Sequence, residues 1–277
     1  MTTYPIFLPQ YRDVTVVQRT RDYLVDGERY QRVTAALGII NKPALVPWAR
    51  RVTLEKVQAV LSDPSVVGEL ARFSYQFEEG ATTPDKGEYM GWVDRLIAAA
   101  DAYPDQVRGE KAALGTEIHQ MLRDATQLSP ADQSAYLEVV PNDQRPAFTG
   151  ALAFLRDHSI KVVATEQPVW SDKHKIAGTV DGVGWVGSAL VIWDWKRSAG
   201  VYWETALQLG AYAEYLGRLM GVPVEKAWAV RLLREPPAPD APLYEVHQVR
   251  NKAAAYAAYL DACGLYEASK NKEWWAA

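Results

Sequence analysis

The sequence predicts an α/β fold: a mixed sheet with an antiparallel hairpin at its centre, flanked by helices and preceded by a helical region. Three strand-like runs follow one another with short connections between residues 162 and 196. A long helical run and then a further strand come after them, which is the element order of an α/β core. REPPAPDAP is a Pro-rich connection, but no linker in the 277 residues is rich enough to separate two independent domains. We therefore expect a single domain over 1–277, with a hairpin and helices in 1–101 and the core in 102–277.

The first third of the chain predicts one hairpin followed by helices. Asp26-Gly27 is a strong turn signal inside DYLVDGERYQRV, and Thr34 stands where a helix N-cap is expected. A break at Pro64 separates two helical runs. In chain order the predicted helices are AALGII, KPALVPWARR, TLEKVQAVL, VVGELARFSYQF and YMGWVDRLIAAADAY, with a loop at EEGATTPDKGE before the last.

The remaining two thirds of the chain alternate helices and strands. Helices are predicted from about Asp105 to Asp124, from Asp143 to Asp157, over WETALQLGAYAEYLGRLM and from Asn251 onward. The predicted strands are VVATEQPVW, KIAGTVDGVGWV, ALVIWDWK, VEKAWAVRLL and LYEVHQV.

Composition excludes several kinds of site. Cys263 is the only cysteine, which excludes an internal disulfide, a Cys-type structural zinc site and an iron–sulfur cluster. The net charge of -4 gives no sign of a nucleic-acid partner and no veto against one, because binding depends on a local basic patch. No apolar run reaches the length of a membrane span, and MTTYPIFLPQYRD lacks the pattern of a signal peptide. We expect a cytoplasmic protein without a membrane partner.

The stretch VIWDWK sets an acid and a base into an otherwise apolar strand. Because strand side chains alternate, Asp194 and Lys196 share one face. A hairpin turn at Gly187-Ser188 places Asp181 of the preceding strand directly opposite Asp194, with Cβ atoms roughly 5 Å apart. Like charges in that position destabilise a sheet, and two carboxylates at that separation fit one Mg²⁺. The pattern therefore predicts a metal site, with Lys196 holding or helping to deprotonate a bound water.

A structural alternative explains the same residues without a metal. Asp181 then lies in a flared hairpin end, and Asp194 pairs with Lys196 as a half-buried salt bridge. A three-residue hairpin loop would break the register and favour this alternative. His119, on the predicted helix KAALGTEIHQML, is a further candidate ligand. A lone histidine in that setting is by itself more often a capped or half-buried surface residue.

These pieces, in this order, resemble the RecB-type branch of the PD-(D/E)xK nuclease superfamily. The motifs are GTEIH on a helix, the acid in VVATEQPVW, then GTVDGV, VIWDWK and a helix that carries Gln208 and Tyr212. The run RYQRVTAALGIINKPALVPWARR is similar to the opening of the cluster-free exonucleases of this branch, which include phage exonucleases and the mitochondrial genome-maintenance exonuclease. The resemblance implies a restriction-endonuclease-like core.

The resemblance also implies a metal site. It makes His119, Asp181 and Asp194 the ligands, joined by the backbone carbonyl of Trp195, and it makes Lys196 the catalytic lysine.

The remaining residues of the pattern are Glu166 and the predicted DNA contacts. Glu166 matches a frequently acidic position, and both a role in the site and a structural ion pair are open for it. Thr34 and Trp48 match a substrate-side element only loosely, and for them a helix cap and a core aromatic are the competing interpretations. The predicted DNA contacts are Gln208, Tyr212, Arg197, Thr34 and Trp48.

The implied activity is that of a Mg²⁺- or Mn²⁺-dependent deoxyribonuclease, expected to be a phage-type exonuclease on single-stranded DNA ends in replication, recombination or processing. The chain has no helicase motif such as a P-loop, so any unwinding needs a helicase, recombinase or single-strand-binding partner. Two alternatives are open. One is a structure-specific endonuclease on the same core, and the other is an inert DNA-binding or assembly protein with the same fold.

Overall fold

The computed structural model describes residues 2–3, 12–17, 22–40, 42, 45–78, 86–126 and 128–271. The chain forms two compact units, one of Met1–Ile40 with Thr116–Ala277 and one of Asn41–Gly115. The predicted division after residue 101 falls inside the second unit, and a single functional domain over 1–277 stays a prediction. Within the described ranges, no helix has both the length and the apolar character that crossing a membrane requires.

Within the described ranges, the sheet contains nine strands, all in the first unit. In chain order they are β1 Thr2–Thr3, β2 Val14–Val16, β3 Tyr23–Val25, β4 Glu28–Arg32, β5 Lys161–Ser171, β6 Ile176–Val186, β7 Ala189–Lys196, β8 Val224–Leu232 and β9 Tyr244–Gln248. The five strands predicted after residue 160 are all present, with bounds within about two residues of the prediction.

The sheet is mixed, and the β6–β7 hairpin lies near its centre. Its order is β1-β2-β3-β4-β6-β7-β8-β9, with β5 paired to β6. On the edge away from β5, strand β6 pairs in parallel with β4 at Ile176 and Ala177, and then antiparallel with β7 from Gly182 onward. The β7–β8 pair is also parallel, and the β1–β2, β2–β3, β3–β4, β5–β6 and β8–β9 pairs are antiparallel. This arrangement confirms the predicted fold class.

Both predicted hairpin turns are two residues long. Asp26 and Gly27, between β3 and β4, have φ of 50° and 81°. Positive φ at both positions is the turn geometry that matches the twist of paired strands. In the central hairpin Val186 pairs with Ala189, which leaves Gly187, at φ 60°, in the two-residue loop. The three-residue loop that would have broken the register is absent from this described hairpin.

Eight α-helices lie in the described ranges. They are α1 Val33–Ala36, α2 Leu45–Leu61, α3 Pro64–Glu78, α4 Lys86–Ala125, α5 Pro130–Val139, α6 Arg145–Asp157, α7 Glu204–Met220 and α8 Lys252–Ser269. A single 3₁₀ turn, Leu37–Ile39, follows α1.

Several predicted helix boundaries were wrong. Thr34 is not an N-cap but the second residue of α1, because β4 runs straight into that helix at Arg32. KPALVPWARR and TLEKVQAVL belong to one helix, α2, since Pro47 lies in its first turn, where a missing N–H costs little. Helix α4 starts at Lys86 and runs through the buried Pro104. Most of the predicted loop EEGATTPDKGE lies outside the described residues.

Helix α5 was not predicted, although a start signal for it is present in the sequence. The Ser129 hydroxyl accepts a hydrogen bond from the Asp132 N–H at 3.3 Å, and Pro130 is the first helical residue. A serine N-cap followed by proline is a typical helix start. The short, weakly amphipathic run behind it gave no helical period to detect.

Two helical layers cover the sheet of the first unit. On one face, Phe154 of α6 contacts Trp193, Trp195, Trp228 and Tyr244, with ring centroids 5.6 to 6.2 Å apart. The other face packs against α7, and α8 packs on α7 in turn, in the main apolar core. That core contains Ile192 of β7, Leu209 and Tyr215 of α7 and Tyr259 of α8.

Candidate metal centre

Three acidic residues lie side by side on three neighbouring strands. The β5–β6 register sets Glu166 opposite Asp181, and the β6–β7 register, which pairs Gly182 with Trp193, places Asp181 beside Asp194 as predicted. Asp181 and Asp194 are 8% and 3% exposed. The sheet thus gathers carboxylates where little solvent screens their repulsion.

The strands of the β6–β7 hairpin are no longer paired at Asp181 and Asp194. The β6–β7 ladder stops at Gly182 and Trp193, one step before the two aspartates. Instead of a main-chain partner, the Trp195 N–H donates to the Asp181 carboxylate, with N and Oδ2 2.7 Å apart. A charge-assisted bond of this kind stabilises the ionised carboxylate and fixes the position of its second oxygen.

Glu166 has an unusual backbone conformation within a strand. Its φ is 50°, in the left-handed region that costs a non-glycine residue of order 1 kcal/mol. The ladder with β6 also carries an irregularity between Val162 and Ala164, just upstream. Irregular strand positions change the direction of a side chain. Here the Glu166 carboxylate lies close to the carboxylate of Asp181.

His119 of α4 completes this group. Its Nδ1 lies 3.4 Å from Oδ1 of Asp181 and 3.8 Å from Oε1 of Glu166. Potential ligand atoms of these three residues lie within 4.8 Å of one another. The His119 side chain is 33% exposed, against 9% for Asp181, so the group is open to solvent on the helix side.

Burial and charge repulsion shift the pKa values of the titratable groups of the site. Burial and the charge of Asp181 raise the pKa of Glu166 to about 7. Burial likewise raises the pKa of the Asp194 carboxyl above its ordinary value, although Lys196 opposes this. For His119, burial lowers the pKa, but the charges of Asp181, Asp194 and Glu166, with a hydrogen bond to Asp181, together outweigh it and raise the pKa to about 9.

Lys196 balances part of this negative charge. Its Nζ lies 2.5 Å from Oδ2 of Asp194, and its side chain is 26% exposed. Burial lowers the pKa of Lys196, but the charges of Asp194, Asp181 and Glu204 outweigh it and raise that pKa. The Asp194–Lys196 ion pair is the one the structural alternative predicted, and it coexists with the register that the metal interpretation predicted.

The residues of the site fit a divalent cation. One imidazole nitrogen and carboxylate oxygens converge, and oxygen-rich sets of this kind suit Mg²⁺ and Mn²⁺. Burial raises the pKa values of Glu166 and Asp194, and the charge of Asp181 adds to the rise in both, a repulsion that a bound cation would offset. The group includes Glu166, for which the sequence left a structural ion pair open.

One face of α7 borders the site. Glu204, Gln208 and Tyr212 follow one another at four-residue spacing, and Gln208 Nε2 donates to the Tyr212 hydroxyl at 3.1 Å. Tyr212 is 3% exposed and packs against Gly178, where an added Cβ would lie 2.5 Å from its ring. Gln208 is half-buried and is therefore the more accessible member of the predicted pair.

The other three predicted DNA contacts are not brought into this cluster. Arg197 is half-buried, and the charges that face it are Arg234 and Asp143. Thr34 is an exposed residue of α1. Trp48 belongs to the second unit, where the Lys111 ammonium lies 5.6 Å from its ring centroid.

Two residues near the site were not singled out from the sequence. Arg123 follows His119 by one helical turn, and its charge acts on Glu166. Glu204 precedes Gln208 by one turn, and its charge acts on Lys196. The four-residue helical period, applied outward from each motif residue, would have identified both.

Comparisons with known proteins point to one family. The model of the PD-(D/E)XK nuclease superfamily matches residues 89–273. No curated protein matches the chain. Among solved structures, the chain is similar to one titled "Crystal structure of SSO0001", at 12% identity and a TM-score of 0.27, over 57% of this chain and 77% of that one.

Proposed function

Because the chain belongs to the PD-(D/E)XK nuclease superfamily, we propose that it is a Mg²⁺- or Mn²⁺-dependent DNA exonuclease acting on single-stranded ends. The observation that carries the proposal is the convergence of His119, Glu166 and Asp181 within 4.8 Å, next to the Asp194–Lys196 pair. The motif region lies inside the 89–273 span of the family match.

The cation would be held by His119, Asp181 and Glu166, with Asp194 and the Trp195 carbonyl as further predicted ligands. When bound, it supplies Lewis-acid polarisation of the phosphodiester and lowers the pKa of a bound water. The Trp195 N–H keeps one Asp181 oxygen fixed at 2.7 Å and so prepares the other for ligation.

Lys196 acts from beside the carboxylates. Held at 2.5 Å by Asp194, its ammonium can donate to the attacking water and offset the charge that develops on the phosphate. Gln208 contacts the DNA strand, and its hydrogen bond to the buried Tyr212 holds the amide in place. Arg197, Thr34 and Trp48 stay predicted backbone or substrate contacts.

The exonuclease assignment rests on the resemblance of RYQRVTAALGIINKPALVPWARR to phage and mitochondrial exonucleases. A structure-specific endonuclease on the same core is the second candidate. Phage-type replication, recombination or processing, with a helicase, recombinase or single-strand-binding partner, belongs to the same proposal.

The deciding experiment is digestion of 5′- and 3′-end-labelled single- and double-stranded DNA with Mg²⁺ and with Mn²⁺. We expect 5′-phosphate products from linear single strands and no cutting of closed single-stranded circles. Cutting of the circles would overturn the exonuclease assignment. The absence of cleavage with either metal would favour an inert DNA-binding protein.

A matched pair of lysine variants tests the site. Lys196→Ala removes the ammonium beside Asp194, whereas Lys161→Ala removes an exposed lysine at the start of β5. We expect the first to abolish cleavage and the second to retain it. Equal activity in both variants would refute the assignment of Lys196.

A further inference from the structure

Two adjacent aromatic side chains stand out from the surface between β7 and α7. Tyr202 is 45% exposed and Trp203 is 60% exposed. A single exposed apolar residue needs no explanation. Two neighbouring exposed rings do need an explanation, because they lie in the segment that joins the strand of Lys196 to the helix of Gln208. Among the described residues, neither side chain has a hydrogen-bond or ring partner.

The backbone beneath the two rings is anchored. Arg231 Nε donates to the Ser198 carbonyl at 3.1 Å, and the Ser198 hydroxyl donates to the Gly200 carbonyl at 2.6 Å. Val201 packs against the apolar core, and the Thr205 N–H donates to the Tyr202 carbonyl at 3.0 Å. The rings are therefore presented to solvent by a fixed segment.

This segment begins and ends at the candidate metal centre. Lys196, at its start, pairs with Asp194. Glu204 directly follows Trp203, and its charge acts on the Lys196 ammonium. Gln208 lies one helical turn beyond Glu204. The two rings therefore belong to a short segment whose two ends, Lys196 and Glu204, interact electrostatically at the candidate metal centre.

The same segment also carries a cation near its start. Arg197 follows Lys196 directly, and its Nη1 is buried without a hydrogen-bond partner among the described residues. The exposed Arg234 is the cation that faces Arg197, with Asp143 as the facing acid. Two guanidinium groups facing one another suit an anion such as a backbone phosphate. The segment therefore carries both a cation and aromatic faces, the two kinds of side chain that bind single strands.

We propose that Tyr202 and Trp203 form a stacking platform for bases of a single DNA strand beside the scissile phosphate. The inference rests on the proposed nuclease function and names the feature that selects its substrate. Bases inside a duplex are already stacked and unavailable to protein rings, whereas the bases of a single strand are free to stack. The platform thus favours single-stranded ends without sequence preference.

The first test measures binding of a fluorescein-labelled oligo(dT) by anisotropy, with Ca²⁺ in place of the catalytic metal. We expect the double variant Tyr202→Ala/Trp203→Ala to bind about tenfold more weakly or worse. Trp203→Phe keeps an aromatic face and should bind within about threefold of wild type. Leu265→Ala, at a 63% exposed site on α8, is the matched control and should bind like wild type.

The second test separates base stacking from a structural effect. An oligonucleotide of the same length and charge, with abasic sites in place of bases, should bind wild type about tenfold more weakly than oligo(dT). The double variant lacks both rings, so its affinities for oligo(dT) and for the abasic oligonucleotide should agree within about twofold. An equal abasic penalty in both proteins would overturn the proposal.

A protein occupant is a distinct outcome. If the rings instead meet a second copy of the chain, the double variant changes the mass measured by light scattering while binding oligo(dT) as wild type does, and the proposal fails. Cleavage by wild type with Mn²⁺ is scored separately. If the wild-type protein cleaves no DNA but still binds the abasic oligonucleotide more weakly than oligo(dT), the proposed nuclease function is refuted and the stacking platform is supported.

Discussion

Strand β7 carries two faces with opposite chemistry. On one face, Trp193 and Trp195 contact each other and Phe154 in an aromatic cluster, with ring centroids 5.6 to 6.2 Å apart. On the other, Asp194 and Lys196 form an ion pair, and the charge of the Asp181 carboxylate acts on both. The two faces share the same backbone, and Asp194 is as deeply buried as Trp195, at 3% and 4% exposed.

The difference separates what stabilises the fold from what equips it for chemistry. Burying the aromatic face removes apolar area from water and favours folding. Burying like charges opposes folding, because their mutual repulsion and lost hydration are only partly offset by Lys196 and His119. A fold under selection for stability alone would place apolar residues at Asp181 and Asp194. The comparison therefore associates stability with the aromatic face and the proposed chemistry with the charged face.

The largest expected effect comes from neutralising the charged face. Asp194→Asn keeps the shape of the side chain but removes a predicted ligand charge and the partner of Lys196. We expect single-turnover cleavage to fall roughly 10³-fold or more, at least about 4 kcal/mol of transition-state stabilisation. The urea midpoint should stay equal or rise, because burial and the charge of Asp181 disfavour the Asp194 charge more than Lys196 favours it. Retention of more than about a tenth of the activity would contradict the assignment.

The next largest effect is on the aromatic face. Phe154→Ala should lower the free energy of unfolding by about 3–4 kcal/mol, the lower part of the usual range, because the surrounding rings can partly collapse into the cavity. Urea denaturation measures it. The cleavage rate per folded molecule should be retained, and a specific loss of activity with normal stability would break the division between the faces.

A smaller effect is expected where the strands meet beneath the aromatic face. A Cβ at Gly182 would lie 1.9 Å from the Trp193 ring, so Gly182→Ala should destabilise by about 1–3 kcal/mol through overpacking. Gly264→Ala is the control, since no atom lies within 4 Å of the added methyl on α8. That control should be neutral or stabilising by up to about 1 kcal/mol. A similar loss of stability in both variants would point to a general glycine effect.

The smallest effect is expected at Trp193 itself. Its indole N–H is buried without a partner among the described residues, so Trp193→Phe loses area but also removes an unsatisfied polar group. We expect a change within about 1 kcal/mol and normal cleavage. Trp228→Phe should cost more, because the Trp228 Nε1–H donates to Gln248 at 3.3 Å. Thermal unfolding measures the loss of stability in both variants. A larger loss for Trp193→Phe than for Trp228→Phe would contradict this explanation.

The strands and their register were predictable because their signals are local. Alternation in VIWDWK and the two-residue turn at Gly187 define which side chains share a face and which residues pair. The helices were predicted less well. Pro104 does not interrupt α4, since burial of its ring compensates for the lost hydrogen bond, and sequence rules have no access to that burial.

The metal centre shows the same limit. The resemblance named His119, Asp181, Asp194 and Lys196, but no pattern indicated that the hairpin opens so that Asp181 accepts from the Trp195 N–H. Nor did the sequence decide between a structural and a site role for Glu166, because a left-handed φ in a strand is not encoded by a short motif.

The sequence by itself determined the mixed sheet, its central hairpin and the two faces of β7, because side-chain alternation and turn chemistry act between near neighbours. Only the tertiary structure decided that His119, from a helix more than 40 residues upstream of the acids, lies 3.4 Å from Asp181 and that Glu166 joins them. Such distances depend on how the helix and the irregular strand pack together, and packing is a property of the whole core rather than of any segment.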